Sequence, residues 1–211
     1  MKRIAILGGT FNPIHNGHLK LAENACSQYP IDEFWFMPAP NPPHKAGRVI
    51  TDYSHRLKMT ELAIAGNTKY VCSDFESRRS GKSYTSDTLT ELTSLYPDDE
   101  FSFVIGADSF YEIETWHEPE TVMRLASLIV ADRDYDANHA SLSAHAEHLT
   151  KAYGARVRIV RAGDVDISSE RLRQMLRRPG LSKSRVVKYL PAAVFDYIRA
   201  HGLYLAQEAE A

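Results

Sequence analysis

The stretch Gly8-Gly9-Thr10-Phe11-Asn12-Pro13-Ile14-His15-Asn16-Gly17-His18 follows a short apolar run, Ile4 to Leu7, and leads into Leu19-Lys20-Leu21-Ala22. An apolar run of that length reads as a strand. Gly8 and Gly9 let the backbone turn sharply at its end and come close to a ligand, because no Cβ stands in the way. Asn12 suits a helix N-cap and Pro13 a first helical residue, so a helix is expected to start between Asn12 and Gly17. The unpaired N–H groups of such a start favour an anion. His15 and His18, three residues apart, share one side of the first turn. Two imidazoles there can donate to phosphate oxygens and stabilise charge that grows in a transition state. A turn with two surface histidines is the plain alternative. Zinc lacks a convincing third ligand. The stretch is neither a GxGxxG fingerprint nor a P-loop, since no Lys-Ser/Thr follows the glycines.

The rest of the chain supplies a frame for that loop. Strand-like runs recur at Glu33–Met37, Tyr70–Phe75, Ser102–Ile105, Leu128–Ala131 and Arg156–Val160. They alternate with helical patterns at 17–28, 54–66, 85–97, 119–126 and 141–154, and two more follow at 168–178 and 191–202. Short apolar strands between helices imply a parallel sheet with right-handed crossovers and both faces covered. The expected fold is therefore α/β, a Rossmann-like doubly wound parallel sheet with a small helical C-terminal part. Neither a repeat nor a low-complexity linker divides residues 1–211, which are read as a single domain. Ligands of such sheets bind beyond the carboxyl ends of the strands.

Composition narrows the function. The chain has 211 residues, 44% of them hydrophobic and 25% charged, with a net charge of −2. That is ordinary globular composition with no global field to hold nucleic acid or an anionic membrane, so phosphate binding must be local. Cys26 and Cys72 form no disulfide framework and read as buried thiols in a reducing compartment. No apolar run approaches the roughly 20 residues of a membrane span. A soluble, cytoplasmic protein is expected.

Four further segments carry chemistry. In Asp166–Gln174, Ser168 or Ser169 caps a helix, and Arg173 adds a charged fork one turn on. From the residues alone, a capped helix with solvated arginines is the simpler reading. Pro38–Lys45 (PAPNPPHK) is a stiff, proline-rich loop with His44 and Lys45 at its tip. Gly81–Leu89 (GKSYTSDTL) opens a helix with Ser83 and Thr85 as candidate caps and a third set of unpaired N–H groups. Ile105–Glu118 leaves a strand through Gly106, presents Asp108, and reaches Trp116 in polar company. Trp116 can be a stacking platform or a packing residue, whereas Trp35 lies inside a strand and reads as core.

The Gly8–His18 stretch resembles the signature of the HxGH nucleotidyltransferase superfamily, with Asn12 where Asp is usual. Ile167, Ser168, Ser169, Leu172 and Arg173 match that superfamily's second phosphate segment, with Glu170 in place of the usual Thr. Taken with the PPHK loop, the Ser83-Tyr84-Thr85 helix start, the Gly106–Asp108 strand end and Trp116, the chain resembles the bacterial nicotinate-nucleotide adenylyltransferases over nearly its whole length. The resemblance implies transfer of AMP from ATP to nicotinic acid mononucleotide, giving deamido-NAD and pyrophosphate, with Mg²⁺ accompanying ATP. It implies a catalytic set of His15, His18, Lys45 and Arg173. ATP would be bound by Gly8, Gly9, Thr10, Phe11, His15, His18, Gly106, Asp108, Ile167, Ser168, Ser169 and Arg173. The acceptor would be bound by His44, Lys45, Ser83, Tyr84, Thr85, Asp108, Tyr111 and Trp116, with Thr85 and nearby backbone on the pyridine carboxylate and Trp116 against the ring. No protein metal site is implied, and a homodimer is expected by analogy alone. The alternatives are another phosphate acceptor, nicotinamide mononucleotide first among them, or a nucleotide-binding module without turnover.

Overall fold

The structure, a computed structural model, describes residues 1–42, 50–132, 135–161, 167–178 and 180–205. Its strands are β1 (Arg3–Gly9), β2 (Glu33–Pro38), β3 (Tyr70–Cys72), β4 (Glu100–Gly106), β5 (Ser127–Asp132) and β6 (Val157–Arg161). They form one parallel sheet in the order β3-β2-β1-β4-β5-β6. The order reverses between β1 and β4, where a doubly wound sheet opens a crevice.

Successive side chains of a strand face opposite sides, and each side of this sheet has its own core. Ala5 and Leu7 of β1 pack with Phe34, Phe36, Val104 and Ile129 against α1 (Asn16–Gln28), α2 (Tyr53–Ile64), α7 (Ser169–Leu176), α8 (Lys183–Val186) and α9 (Ala192–Ala200). Ile4 and Ile6 pack with Phe101, Phe103, Ile105, Leu128 and Val130 against α3 (Thr85–Leu95), α4 (Ala107–Tyr111), α5 (Pro119–Leu125) and α6 (Tyr135–Tyr153). The C-terminal helices thus cover the β1–β2 side, beside the loop that leaves β1.

Several expectations are corrected. The third strand ends at Cys72, because Phe75 turns inward within a 3₁₀ turn, Phe75–Arg78. The helix expected from Ser141 begins at Tyr135. Trp35 is half-buried rather than core, and its indole N–H donates to Glu33 Oε2 at 2.9 Å. Cys26 and Cys72 are free and half-buried; burial pushes both thiols up, Cys72 to about 12. No helix among the described residues is long and apolar enough to cross a membrane.

Candidate active site

The loop after β1 does not start its helix where capping preference puts it. Phe11 takes φ of 45°, the Asn12–Pro13 peptide is cis, and α1 begins only at Asn16. His15, not Asn12, is the N-cap, and it closes a reciprocal box with His18. His18 Nδ1 accepts from the His15 backbone N–H at 3.1 Å, and the His18 backbone N–H donates to the His15 carbonyl at 2.9 Å. A ring nitrogen that accepts carries no proton, so this bond puts the hydrogen of a neutral His18 ring on Nε2. The rings stack with centroids 3.7 Å apart and planes 24° apart. Gly17 leaves room between them: a Cβ there would stand 3.0 Å from His15 Nδ1 and crowd that ring. Phe11 meets His18 edge-on at 5.0 Å.

Asn12 has a different task. It is 7% exposed, and Tyr204 donates its hydroxyl hydrogen to Asn12 Oδ1 at 2.7 Å. Arg173 Nη1 donates to the Asn12 carbonyl at 2.7 Å, and Ser169 Oγ donates to the Pro13 carbonyl at 2.9 Å. The loop before α1 and the first turns of α7, far apart in sequence, are therefore fastened together. Ser168 caps α7, its Oγ accepting from the Arg171 N–H at 3.2 Å. Ile167 is buried, and Ser168 and Glu170 are exposed. With its hydroxyl hydrogen on Pro13, Ser169 is a strut of the first loop. Arg173 spends one donor there and keeps others in its fork.

On the opposite side of β1, a cavity of about 530 Å³ opens between the ends of β1 and β4. Gly8, Gly9 and Thr10 line it, with Ser83, Tyr84, Thr85, Gly106 and Trp116. Gly8 has little room for a side chain, since a Cβ would come within 3.2 Å of the Phe103 ring. Trp116 is half-buried and stands edge-on to Phe103 at 6.1 Å, leaving indole surface on the cavity wall. Thr85 is the first residue of α3, whose N-cap is Tyr84 and whose start no side chain caps. Neither Ser83 nor Thr85 is the cap the sequence suggested, so the N–H groups of this first turn remain for a ligand.

Asp108 is exposed in the first turn of α4 at the β4 end and is not part of the cavity lining. Tyr111 is 45% exposed and pairs its hydroxyl with Ser141 Oγ at 2.9 Å, away from the cavity. His44 and Lys45 lie outside the described residues. Among the described residues, no group of three His, Cys, Asp or Glu side chains is placed to hold a metal ion.

Sequence reasoning missed several residues. Glu76, Ser109, Glu112, Thr115 and His117 share the cavity wall, and the His117 and Tyr84 rings lie 4.3 Å apart. Arg56 is 1% exposed. Its guanidinium donates to the carbonyls of Thr51, Thr10, Ala39 and Pro40 at 2.8–3.2 Å. It thereby locks together the loops leaving β1 and β2. A lone arginine in a helical pattern gives no sign that four carbonyls converge on it.

A doubly wound sheet with a histidine-bearing helix start at the switch point defines a nucleotide-binding transferase. The cytidylyltransferase-like family model matches residues 6–175. The chain belongs to that family and, within it, to the nicotinate-nucleotide adenylyltransferases. It is 41% identical over 206 residues to a "Probable nicotinate-nucleotide adenylyltransferase" of Lachnoclostridium phytofermentans, covering 97% of this chain and 100% of that one. A protein of the same description from Synechococcus sp. (strain JA-2-3B'a(2-13)) is 42% identical over 207 residues, covering 97% and 98%. Among solved structures, the Plasmodium falciparum nicotinic acid mononucleotide adenylyltransferase complexed with NaAD superposes with a TM-score of 0.79 at 23% identity, over 97% of this chain and 98% of that one.

Proposed function

We propose that this enzyme transfers AMP from ATP to nicotinic acid mononucleotide, releasing pyrophosphate and forming deamido-NAD in NAD biosynthesis. One observation carries the reading: the loop that leads into the His15–His18 helix start is tied through Asn12 and Pro13 to the Ser168–Arg173 helix start, and the end of β1 also lines a cavity that holds an indole face and a third helix start. ATP phosphates belong at the first pair, and the pyridine ring and its carboxylate at Trp116 and Thr85.

The acceptor phosphate has its second pKa at about 6, so its oxygen is already ionised at neutral pH. That oxygen attacks the α-phosphorus in line. The new O–P bond forms as the bond to the bridging oxygen breaks, and the electron pair leaves with pyrophosphate. No general base is needed, and catalysis reduces to alignment and neutralising charge. His15 and His18 offer ring N–H groups to the transferring phosphate. Arg173 adds charge-assisted donors. Mg²⁺, carried by the triphosphate, would lower the charge on the reacting phosphates. Such an ion keeps waters and needs only one or two carboxylates, and exposed Asp108 at the β4 end suits that role. Lys45 joins the set by resemblance.

The test is pyrophosphate release with ATP and, in separate reactions, nicotinic acid mononucleotide and nicotinamide mononucleotide. Turnover favouring the nicotinate form is the expected result. Preference for the nicotinamide form removes the carboxylate subsite, and absence of turnover with either removes the transferase reading.

A further inference from the structure

Asn16 stands between the two histidines, and the chemistry proposed for them gives it no task. It is half-buried and is the first residue of α1. Its backbone N–H donates to the Tyr189 carbonyl at 2.7 Å, and its side-chain Nδ2 donates to the Val187 carbonyl at 2.9 Å. Val187 is the C-cap of α8, and the N–H groups of Tyr189 and Leu190 both return to the Val186 carbonyl. The carbonyls of Val187 and Tyr189 therefore lie at the open end of one helix, and Asn16 brings them donors from the open start of another. The two partners of the side-chain bond are 171 positions apart in sequence.

The bonds from Arg173, Tyr204 and Ser169 hold the same loop, but they act before His15, on Asn12 and Pro13. Asn16 is a brace on the other side. Only Ile14 and His15 lie between the two sets, and His18 follows Asn16 by two residues. A shift of the first turn of α1 would carry both rings, since the His18 ring is held through the His15 backbone N–H and lies against the His15 ring. Gly17, with its wide backbone freedom, does little to resist such a shift. An apolar residue at position 16 would serve packing. Two donors aimed at two carbonyls of one segment fix a direction as well. We infer that Asn16 is a positioning residue for adenylyl transfer: its clasp on Val187 and Tyr189 sets the first turn of α1 and so aims the His15–His18 ring pair. The inference rests on those rings serving the transferring phosphate. Asn16 acts through the turn and not by contact with the nucleotide.

The measurement is kcat and the KM for ATP in Asn16→Leu, alone and combined with His18→Ala. Leucine matches asparagine in shape and lacks its donor, while the backbone bond to Tyr189 stays. A 1 Å misplacement costs on the order of 10²-fold, so a turn that keeps half its clasp should lose about 10-fold in kcat, with the KM for ATP within about 2-fold of wild type. On top of His18→Ala the same substitution should cost little more, because residues that act as one unit are not additive. Circular dichroism follows folding, and Asn16→Ala carries the test if the Leu variant does not fold. A wild-type kcat in the folded variant overturns the inference. A loss confined to the KM for ATP also overturns it, since Asn16 would then be a contact of the nucleotide. So does an equal loss in the His18→Ala background, which would make the effect independent of the ring pair. A normal kcat in His18→Ala alone overturns the reading on which this one rests, and it shows in a protein that still carries Asn16.

Discussion

His15 and His18 lie ring on ring, 3.7 Å between centroids, with His18 Nδ1 accepting the His15 backbone N–H. The His18 ring is therefore fixed by a main-chain hydrogen bond before any nucleotide arrives, and a donor fixed in advance needs no reorganisation at the moment of reaction.

Removing one such donor should be costly in rate. His18→Ala is expected to lower kcat about 10²–10³-fold with a smaller change in the KM for ATP. Gly17→Ala should fold and yet lose activity, because the new methyl displaces the His15 ring. Steady-state kinetics with circular dichroism would check both. Wild-type turnover in His18→Ala would remove that ring from the chemistry.

Arg173→Ala should raise the KM for ATP, since in the proposed complex the guanidinium would hold phosphate while it keeps its bond to the Asn12 carbonyl. Tyr204→Phe keeps the ring and deletes only the bond to Asn12, so a milder version of the same defect is expected. An ATP titration indistinguishable from wild type in both variants would reduce α7 to a packing element.

Trp116→Ala should damage use of the acceptor far more than binding of ATP. Loss of a stacked ring costs about 1–3 kcal/mol by analogy with base–aromatic stacking. Thr85→Val, nearly isosteric, should narrow the preference for nicotinate over nicotinamide. The check is kcat/KM for both mononucleotides in each variant. If Trp116→Ala kept wild-type acceptor kinetics, the ring would have to stack elsewhere.

Arg56 should matter to stability more than any other single cation discussed here. Burial lowers its pKa, and its charge is answered by carbonyl dipoles of three separate segments. Arg56→Ala leaves those carbonyls without their donor and should cost about 3 kcal/mol or more. Arg56→Lys cannot reproduce the fork and should recover only part of the loss. Urea denaturation measures both, and a wild-type midpoint in the Ala variant would refute the assignment.

Stability at acid pH should depend on Asp32. The Arg3 side chain and backbone N–H both donate to its carboxyl, which holds it down at about 2 against an ordinary 3.8. A carboxylate with a lowered folded-state pKa stabilises the fold above the unfolded-state value and loses that contribution as pH falls through the folded one. The wild type should therefore lose stability between about pH 4 and pH 2 that Asp32→Asn lacks at the start. Thermal unfolding midpoints that stay equally far apart from pH 5 to pH 2 would contradict this.

The sheet and the Ser168-capped helix start were readable from sequence because they rest on local signals: apolar runs and a Ser-Ser cap. Asn12 misled because capping preference is a local average, whereas two histidines capping each other prevailed in this loop. Tyr111 follows Asp108 closely in sequence, but the short helix α4 carries it outward to Ser141. Glu76 and Arg56 left no trace because a buried charge is set by what distant segments bring to it. In Asp74-Phe75-Glu76-Ser77-Arg78 nothing marks the glutamate as the inward one.

The fastening of Asn12 by Arg173 and Tyr204 has a consequence for the order in which the protein matures. The loop is synthesised before its braces, which come 161 and 192 positions later. A nascent chain can form β1, β2 and their crossover helices while this loop is still unsupported. Competence for catalysis should therefore switch on late in synthesis, when the C-terminal helices dock, and a chain stopped before Ser169 would fold much of its sheet without acquiring a working nucleotide site.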